Sequence, residues 1–447
     1  MINEKELLAK AKKPGQDAMK LHPFYKGKIE TASKCIIRDF NDFAIWYTPG
    51  VAEPCKDIAK NMDKVYEHTN KGNTVAVISD GTRVLGLGDI GPEAGLPVME
   101  GKCLLFKYLG GVDAFPICLA TKDEELFILT VKMLQPSFGG INLEDISQPK
   151  CFHILDRLKK EMKIPVWHDD QQGTATVTVA GLINALKIVG KKINQAKIAM
   201  VGAGAANVAV LRVMMAAGVD PAKVIMVDVD GILHKDRTDF AEDDPRYKFC
   251  KITNQENRRG EIPDAMKGMD AVIALSKPGP GTIKKEWIGD MAKDAVVFAC
   301  ANPIPEIWPW EAKEAGARIV ATGRSDFPNQ VNNSLGFPGI FRGTLDVRAD
   351  TITDEMCIAA ANELAQTAVD KGLSEEYIIP TMEDQEVYSR EAVAVALKAI
   401  EQGVARIKAS KQELLENAEK MIKRAREHTH ILMDSKMILD PPPEMGV

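Results

Sequence analysis

The apolar run Lys197-Ile198-Ala199-Met200-Val201 passes through Gly202-Ala203-Gly204 into a helical pattern that lasts to Ala217 and stops at Gly218. A strand that turns on two glycines straight into a helix commits the chain to a crossover. The helix carries the backbone back, so the next strand lies parallel to the first. Lys223-Val224-Ile225-Met226-Val227-Asp228 is that strand, and Ala271–Leu275, Ala295–Ala299 and Ala317–Ala321 repeat the apolar signal. Strands alternating with helices predict a parallel, doubly wound α/β sheet.

The same motif carries chemistry. Gly202 allows a tight turn, and Gly204 lets backbone approach a pyrophosphate whose charge the helix N-terminus at Ala205 and Ala206 favours. Asn207 stands where a third glycine is usual, and it is expected to push helix and strand apart or to point toward the ligand. Asp228 ends the next strand, where an acid accepts hydrogen bonds from ribose hydroxyls and repels a 2′-phosphate. Val229-Asp230-Gly231 adds another acid and no cation. This pattern favours NAD, with NADP as the alternative.

Upstream, a second alternating unit is legible. Residues 74–89 read as strand, Asp80-Gly81 turn and strand, and 98–109 as a helix. Ala114–Leu119 reads as a strand, 123–135 as a helix, Ile141–Ile146 as a strand ending in acid, and 149–162 as a helix. A new unit is expected to begin near Ile164-Pro165-Val166-Trp167. Apolar positions 393, 397, 400 and 404 repeat at helical spacing toward the end of the chain. The expected division is an N-terminal α/β catalytic domain at 1–163, a Rossmann-like NAD(P)-binding domain at 164–390 and C-terminal helices at 391–447.

With 447 residues the chain exceeds one ordinary core. Its net charge of −6 gives no reason to expect nucleic acid or an anionic membrane as partner. The closest two of its eight cysteines, Cys103 and Cys118, are fifteen positions apart, which argues against a zinc ribbon or a redox C-x-x-C. The N-terminus has charges where a signal peptide needs apolar residues, and no window approaches a membrane span. A cytoplasmic protein is expected.

Two acidic pairs close the strand-to-helix connections: Glu144-Asp145, and Asp169-Asp170 within Trp167-His168-Asp169-Asp170-Gln171-Gln172-Gly173-Thr174. Such carboxylates suit Mg²⁺ or Mn²⁺, which take oxygen ligands and keep positions open for substrate. They equally suit helix N-terminal capping. Lys102, placed at a helix start near Gly95 and Pro97, could act as a base if a nearby cation lowered its pKa, or could be a solvated surface lysine. Tyr47, before Pro49-Gly50, is either a functional phenol on a loop or a packed aromatic.

Together these segments resemble the malic enzymes of the short prokaryotic type, from about Phe24 to about residue 400. The resemblance rests on Tyr47-Thr48-Pro49-Gly50-Val51-Ala52, Leu85-Gly86-Leu87-Gly88-Asp89-Ile90-Gly91, Gly101-Lys102, His168 to Ala175, Ala301-Asn302-Pro303, and Asn332-Asn333 ahead of Phe337-Pro338-Gly339. It implies that Glu144, Asp145 and Asp170 are the divalent-metal ligands, Lys102 the general base, Tyr47 the general acid and Asp169 a supporting acid near the lysine. It further implies that Arg83 holds a substrate carboxylate and that Asn302 and Asn333 contact substrate, Asn302 also facing the nicotinamide site. The implied reaction is metal-dependent oxidative decarboxylation of L-malate to pyruvate and CO₂, in a homodimer or higher homo-oligomer. For Lys102 to act as a base, the metal and Arg83 must depress its pKa. Rival readings are a malolactic enzyme releasing lactate, a metal-independent amino-acid dehydrogenase and a non-catalytic dinucleotide sensor.

Overall fold

The computed structural model describes residues 4–242 and 244–446. Its first sheet is built on β1 (Thr74–Ser79), whose six residues are all buried. A strand buried on both faces belongs in a parallel sheet covered by helices. β2 (Asp113–Cys118), β3 (Gly140–Leu143) and β4 (Val166–His168) complete it in the order β2-β1-β3-β4, with every pairing parallel. After β2 the chain crosses back to the other side of β1, so the order reverses between β1 and β3. A crevice opens at such a reversal, outside the carboxyl ends of the strands.

The second sheet repeats the logic. β5 (Ile198–Val201), β6 (Val224–Asp228), β7 (Gly231–Ile232), β8 (Ala271–Ala274), β9 (Val296–Ala299) and β10 (Ile319–Thr322) lie in the order β10-β9-β8-β5-β6-β7. Only β7 runs antiparallel to its neighbour. Its reversal lies between β5 and β8, where Gly202 follows β5.

Two sequence expectations fail for physical reasons. Residues 80–91 form no second strand, because both edges of β1 are already taken by β2 and β3. Apart from an isolated Val84–Gly88 bridge, this loop binds the segment after β3: Arg83 N donates to Asp145 O at 3.0 Å and Ser147 N to Thr82 Oγ1 at 3.0 Å. Val166–His168 does not open a new unit, since it pairs with β3 as the last strand of the first sheet. A division drawn by sheets therefore falls after His168 rather than at 163.

The helices that matter for the site are α1 (Pro92–Gly110), α2 (Thr174–Ile188), α3 (Ala205–Ala216), α4 (Phe337–Asp346), α5 (Val387–Glu401) and α6 (Lys411–Asp434). α4 is buried along almost its whole length and packs against α1 and the first sheet. Phe106 of α1 lies 4.6 Å from Phe337 and 5.1 Å from Phe341 between ring centroids, and Trp167 of β4 lies 6.4 Å from Phe341. The C-terminal helix α6 runs against the end of α1, where a Cβ on Gly111 would meet the Met421 backbone at 2.7 Å. No helix among the described residues is long and apolar enough to cross a membrane.

Phe106 is fully buried at this junction. Phe106→Ala is expected to lower stability by roughly 3–5 kcal/mol, the usual cost of emptying such a site. The shift of the denaturant midpoint measures it, and a shift worth under about 1 kcal/mol would show that the three rings do not form a common core.

Candidate active site

The register of the first sheet sets the site. Ile78, Leu143 and His168 lie side by side near the carboxyl ends of β1, β3 and β4. The next residues along β3 and β4 are Glu144-Asp145 and Asp169-Asp170, so acids 25 residues apart in sequence emerge from one sheet edge. Ligand oxygens of Glu144, Asp145 and Asp170 all lie within 4.8 Å of one another. Asp170 Oδ2 accepts from Asp145 N at 2.8 Å, and Asp145 Oδ1 accepts from Leu85 N at 3.3 Å. Asp145 Oδ2 is buried and has no hydrogen-bond partner among the described residues.

Asp169 and Asp170 part company. A π-type turn over Asp169–Gly173 precedes α2, and such turns often mark functional positions. It aims Asp169 away from Asp170. The Asp169 carboxylate accepts from Trp167 Nε1 at 3.0 Å and from Lys102 Nζ at 2.5 Å. The capping alternative is not realised, since no side chain caps α2. Gly173 is needed for this arrangement: a Cβ there would overlap the Asp169 carboxylate.

Lys102 lies in the middle of α1, not at its start, and is 8% exposed. Its ammonium stands 2.5 Å from Asp169, 3.0 Å from Glu144 and 4.5 Å from the Phe337 ring centroid. Burial works to lower its pKa, but the carboxylates of Asp169 and Glu144 outweigh that and hold it above the ordinary lysine value. The expected depression is therefore not supplied by the protein alone. Arg83 is exposed, and among the described residues its side chain makes no hydrogen bond or ion pair, leaving it free to meet an anion.

The acids carry the opposite strain. Burial, and then the neighbouring Asp170, push Asp145 up to about 7. Burial likewise raises Glu144, against the pull of Lys102. A cation among these three carboxylates would relieve both costs, and the unpartnered Asp145 Oδ2 offers a ready ligand. His168 was passed over in the sequence. Among the described residues its buried imidazole has no hydrogen-bond partner; it stands 3.7 Å from Asp170, and burial lowers its pKa.

The dinucleotide turn sits close by. Gly202 has φ +93°, its N donates to Val227 O at 2.8 Å, and a Cβ there would strike Leu275 O at 2.7 Å. Ala205 and Ala206 open α3 with amides that have no intrahelical acceptor. Asn207 turns inward. It is fully buried, and its Nδ2 donates to Val201 O at 3.0 Å and Gly202 O at 2.7 Å, tying helix to strand. Gln148, just past the acidic pair, places Oε1 3.7 Å from where a Cβ on Gly204 would stand. The acidic cluster and the dinucleotide turn are thus neighbours.

The remaining predicted residues differ in how closely they approach this centre. Asn333 lies beside Gly173, its Cβ 3.2 Å from the position a Cβ would take there. Asn302, on the loop after β9, is exposed, and its carbonyl meets Gly86 of the 80–91 loop. Tyr47 is 71% exposed on a turn after Phe43–Trp46, and among the described residues its hydroxyl makes no hydrogen bond. Asp228 is not free: Arg237 donates to both its oxygens, at 2.8 and 2.9 Å. Arg237 was missed because only Asp230 and its neighbours were read for charge, and the fold returns a residue nine positions on.

Asp145 holds its proton more tightly in the fold than in the unfolded chain, where its pKa is near 4. Its contribution to stability is fully present below about pH 4 and is lost as pH rises through about 7. In chelator, Asp145→Asn is expected to match the parent protein at or below about pH 4 and to melt higher at about pH 8. Parallel melting profiles across that range would show that Asp145 is not strained.

Comparison with known proteins agrees with this geometry. Residues 26–126 match the malic enzyme N-terminal domain and residues 171–401 the malic enzyme NAD-binding domain. The chain is 51% identical over 406 residues to a bifunctional malic/malolactic enzyme of Bacillus subtilis, covering 91% of this chain and 98% of that protein. It is 52% identical over 380 residues to an NAD-dependent malic enzyme of Geobacillus stearothermophilus, covering 85% and 78%. The crystal structure of Entamoeba histolytica malic enzyme superposes with a TM-score of 0.96 at 49% identity, covering 99% of this chain and 94% of that one. With the acids and the lysine at the edge of the first sheet, the dinucleotide turn of the second beside them, and both family domains and close relatives matched, the chain belongs to the malic enzyme family.

Proposed function

We propose that this protein oxidises L-malate at C2 with NAD and a divalent cation and decarboxylates the product, releasing pyruvate and CO₂. The observation that carries this is the convergence of Lys102, three clustered carboxylates and the Gly202–Gly204 turn. When bound, Mg²⁺ or Mn²⁺ polarises the C2 oxygen and the nicotinamide accepts hydride. Glu144, Asp145 and Asp170 would hold the cation.

The protein's own groups account for the proton movements. Neutralising Glu144 and Asp170 removes two of the charges that raise the Lys102 pKa and leaves burial opposed by Asp169 alone, which moves the amine toward its neutral form. Lys102 takes the C2 hydroxyl proton, with Asp169 and Trp167 fixing its position. Arg83 binds a substrate carboxylate, and the amides of Asn302 and Asn333 orient the substrate. Tyr47 returns a proton to C3 after CO₂ leaves. A base and an acid on separate groups let the two transfers be tuned independently.

Malate, NAD and Mn²⁺ are expected to yield NADH and pyruvate in equal amounts, and EDTA to abolish both. Lys102→Ala should lower kcat by about 10²- to 10⁴-fold, the usual weight of a general base. Unchanged turnover would reject that role. A malolactic reading has one support, the Bacillus subtilis relative. Lactate without net NADH would favour it.

A homodimer is the second proposal. Ile36, Ile37, Phe40, Phe43, Ile45 and Trp46 are all exposed within eleven residues on one arm, beyond what a monomer ordinarily presents. Sedimentation should give twice the chain mass, and Phe40→Lys with Phe43→Lys should shift it toward monomer. A parent protein that sediments as a monomer at micromolar concentration rejects the dimer.

A further inference from the structure

Asp228 closes β6 beside the Gly202 turn, but its neighbourhood is more elaborate than a lone ribose acceptor needs. Arg237 is 7% exposed in its side chain, and all five of its N–H groups are used. Nε donates to Asp239 Oδ1 at 2.8 Å; Nη1 to Asp228 Oδ1 at 2.8 Å and Gly231 O at 3.4 Å; Nη2 to Asp228 Oδ2 at 2.9 Å and to Asp239 Oδ2. Phe240 lies between Arg237 and Arg246, at 4.7 and 4.5 Å from the two guanidinium carbons. Arg246 is itself engaged by Asp244. Asp230 adds a third carboxylate 4.0 Å from Arg237.

An arginine at the ribose end of such a site is the usual partner of a 2′-phosphate. Here it has no donor to spare, and three carboxylates surround one guanidinium. The acids that could pass for a cation site are instead centred on Arg237. We propose that Arg237 determines nucleotide specificity: clamped by Asp228 and Asp239, it orients Asp228 for the ribose hydroxyls and is itself withheld from phosphate. It is therefore a latent phosphate donor, released when the two acids are removed together. The proposal rests on the dinucleotide reading of the Gly202–Gly204 turn and not on the malate chemistry.

Binding of NADH and NADPH to the full chain, followed by nicotinamide fluorescence without malate, tests it. The parent protein should bind NADH more tightly. Asp228→Ser with Asp239→Ser should invert the order, favouring NADPH by roughly tenfold or more, the weight of a charge-assisted hydrogen bond to phosphate. Adding Arg237→Ala to that pair should weaken NADPH by about the same factor and leave NADH unchanged. The size-matched pair Asp228→Asn with Asp239→Asn serves if the serine pair fails to fold. A pair that does not invert, or an inversion insensitive to Arg237→Ala, overturns the proposal, as does a parent protein that prefers NADPH. Binding of neither nucleotide by the parent overturns the cofactor reading and this inference with it, whatever the malate assay returns.

Discussion

The buried ammonium of Lys102 ties the site together. It comes from the middle of α1 and meets Asp169 and Glu144, which follow two different strands of one sheet. Each of these charges is nearly or wholly out of water, where an unpaired ion would cost several kcal/mol. The pairing therefore fixes how α1 sits on the sheet edge. Its supports are equally specific: Trp167 donates to Asp169, Asn142 donates to Glu144 at 2.9 Å, and Phe337 lies under the ammonium. Removing one member leaves the others charged and buried, so the group behaves as a unit.

That unit depends on topology. Parallel strands present all their carboxyl ends on one side, and a reversal of strand order opens a crevice there. The first sheet reverses between β1 and β3 and the second between β5 and β8. The two crevices face each other closely enough for Gln148 to stand beside Gly204 and for Gly86 to meet Asn302. Neither sheet alone holds acids, lysine and dinucleotide turn. The function needs both edges, and these contacts bring them together.

Much of this was legible in the sequence because it is local. Apolar runs, glycine turns and acids at strand ends each follow from neighbours a few residues away. The failures are all non-local. Residues 83–88 have strand composition, but no edge of β1 was free to pair with them. Val166–His168 looked like the start of a new unit because pairing partners are invisible in a linear pattern. Lys102 was read at a helix start because Pro97 usually marks one, yet α1 carries Pro97 inside it. Asn207 seemed a steric departure until its amide was seen to bridge Val201 and Gly202. The division of labour between Asp169 and Asp170 came from family resemblance, and the π-type turn supplies its physical cause.

The two acidic clusters illustrate why composition does not decide what a site binds. Lys102 approaches Glu144, Asp145 and Asp170 from the side of Glu144 and Asp169, and Arg83 acts on Asp145 without a direct ion pair among the described residues. Asp145 keeps a buried oxygen with no partner. Asp228, Asp230 and Asp239 surround Arg237, whose planar fork meets Asp228 through both oxygens and Asp239 through both of its own. The first set is left with charge to neutralise and room among its oxygens. The second has its centre occupied by a guanidinium that cannot lose its proton. Three acids within 4.8 Å describe both. What separates them is whether the protein's own cation sits inside the cluster or beside it, and only the uncentred set leaves carboxylate charge unanswered.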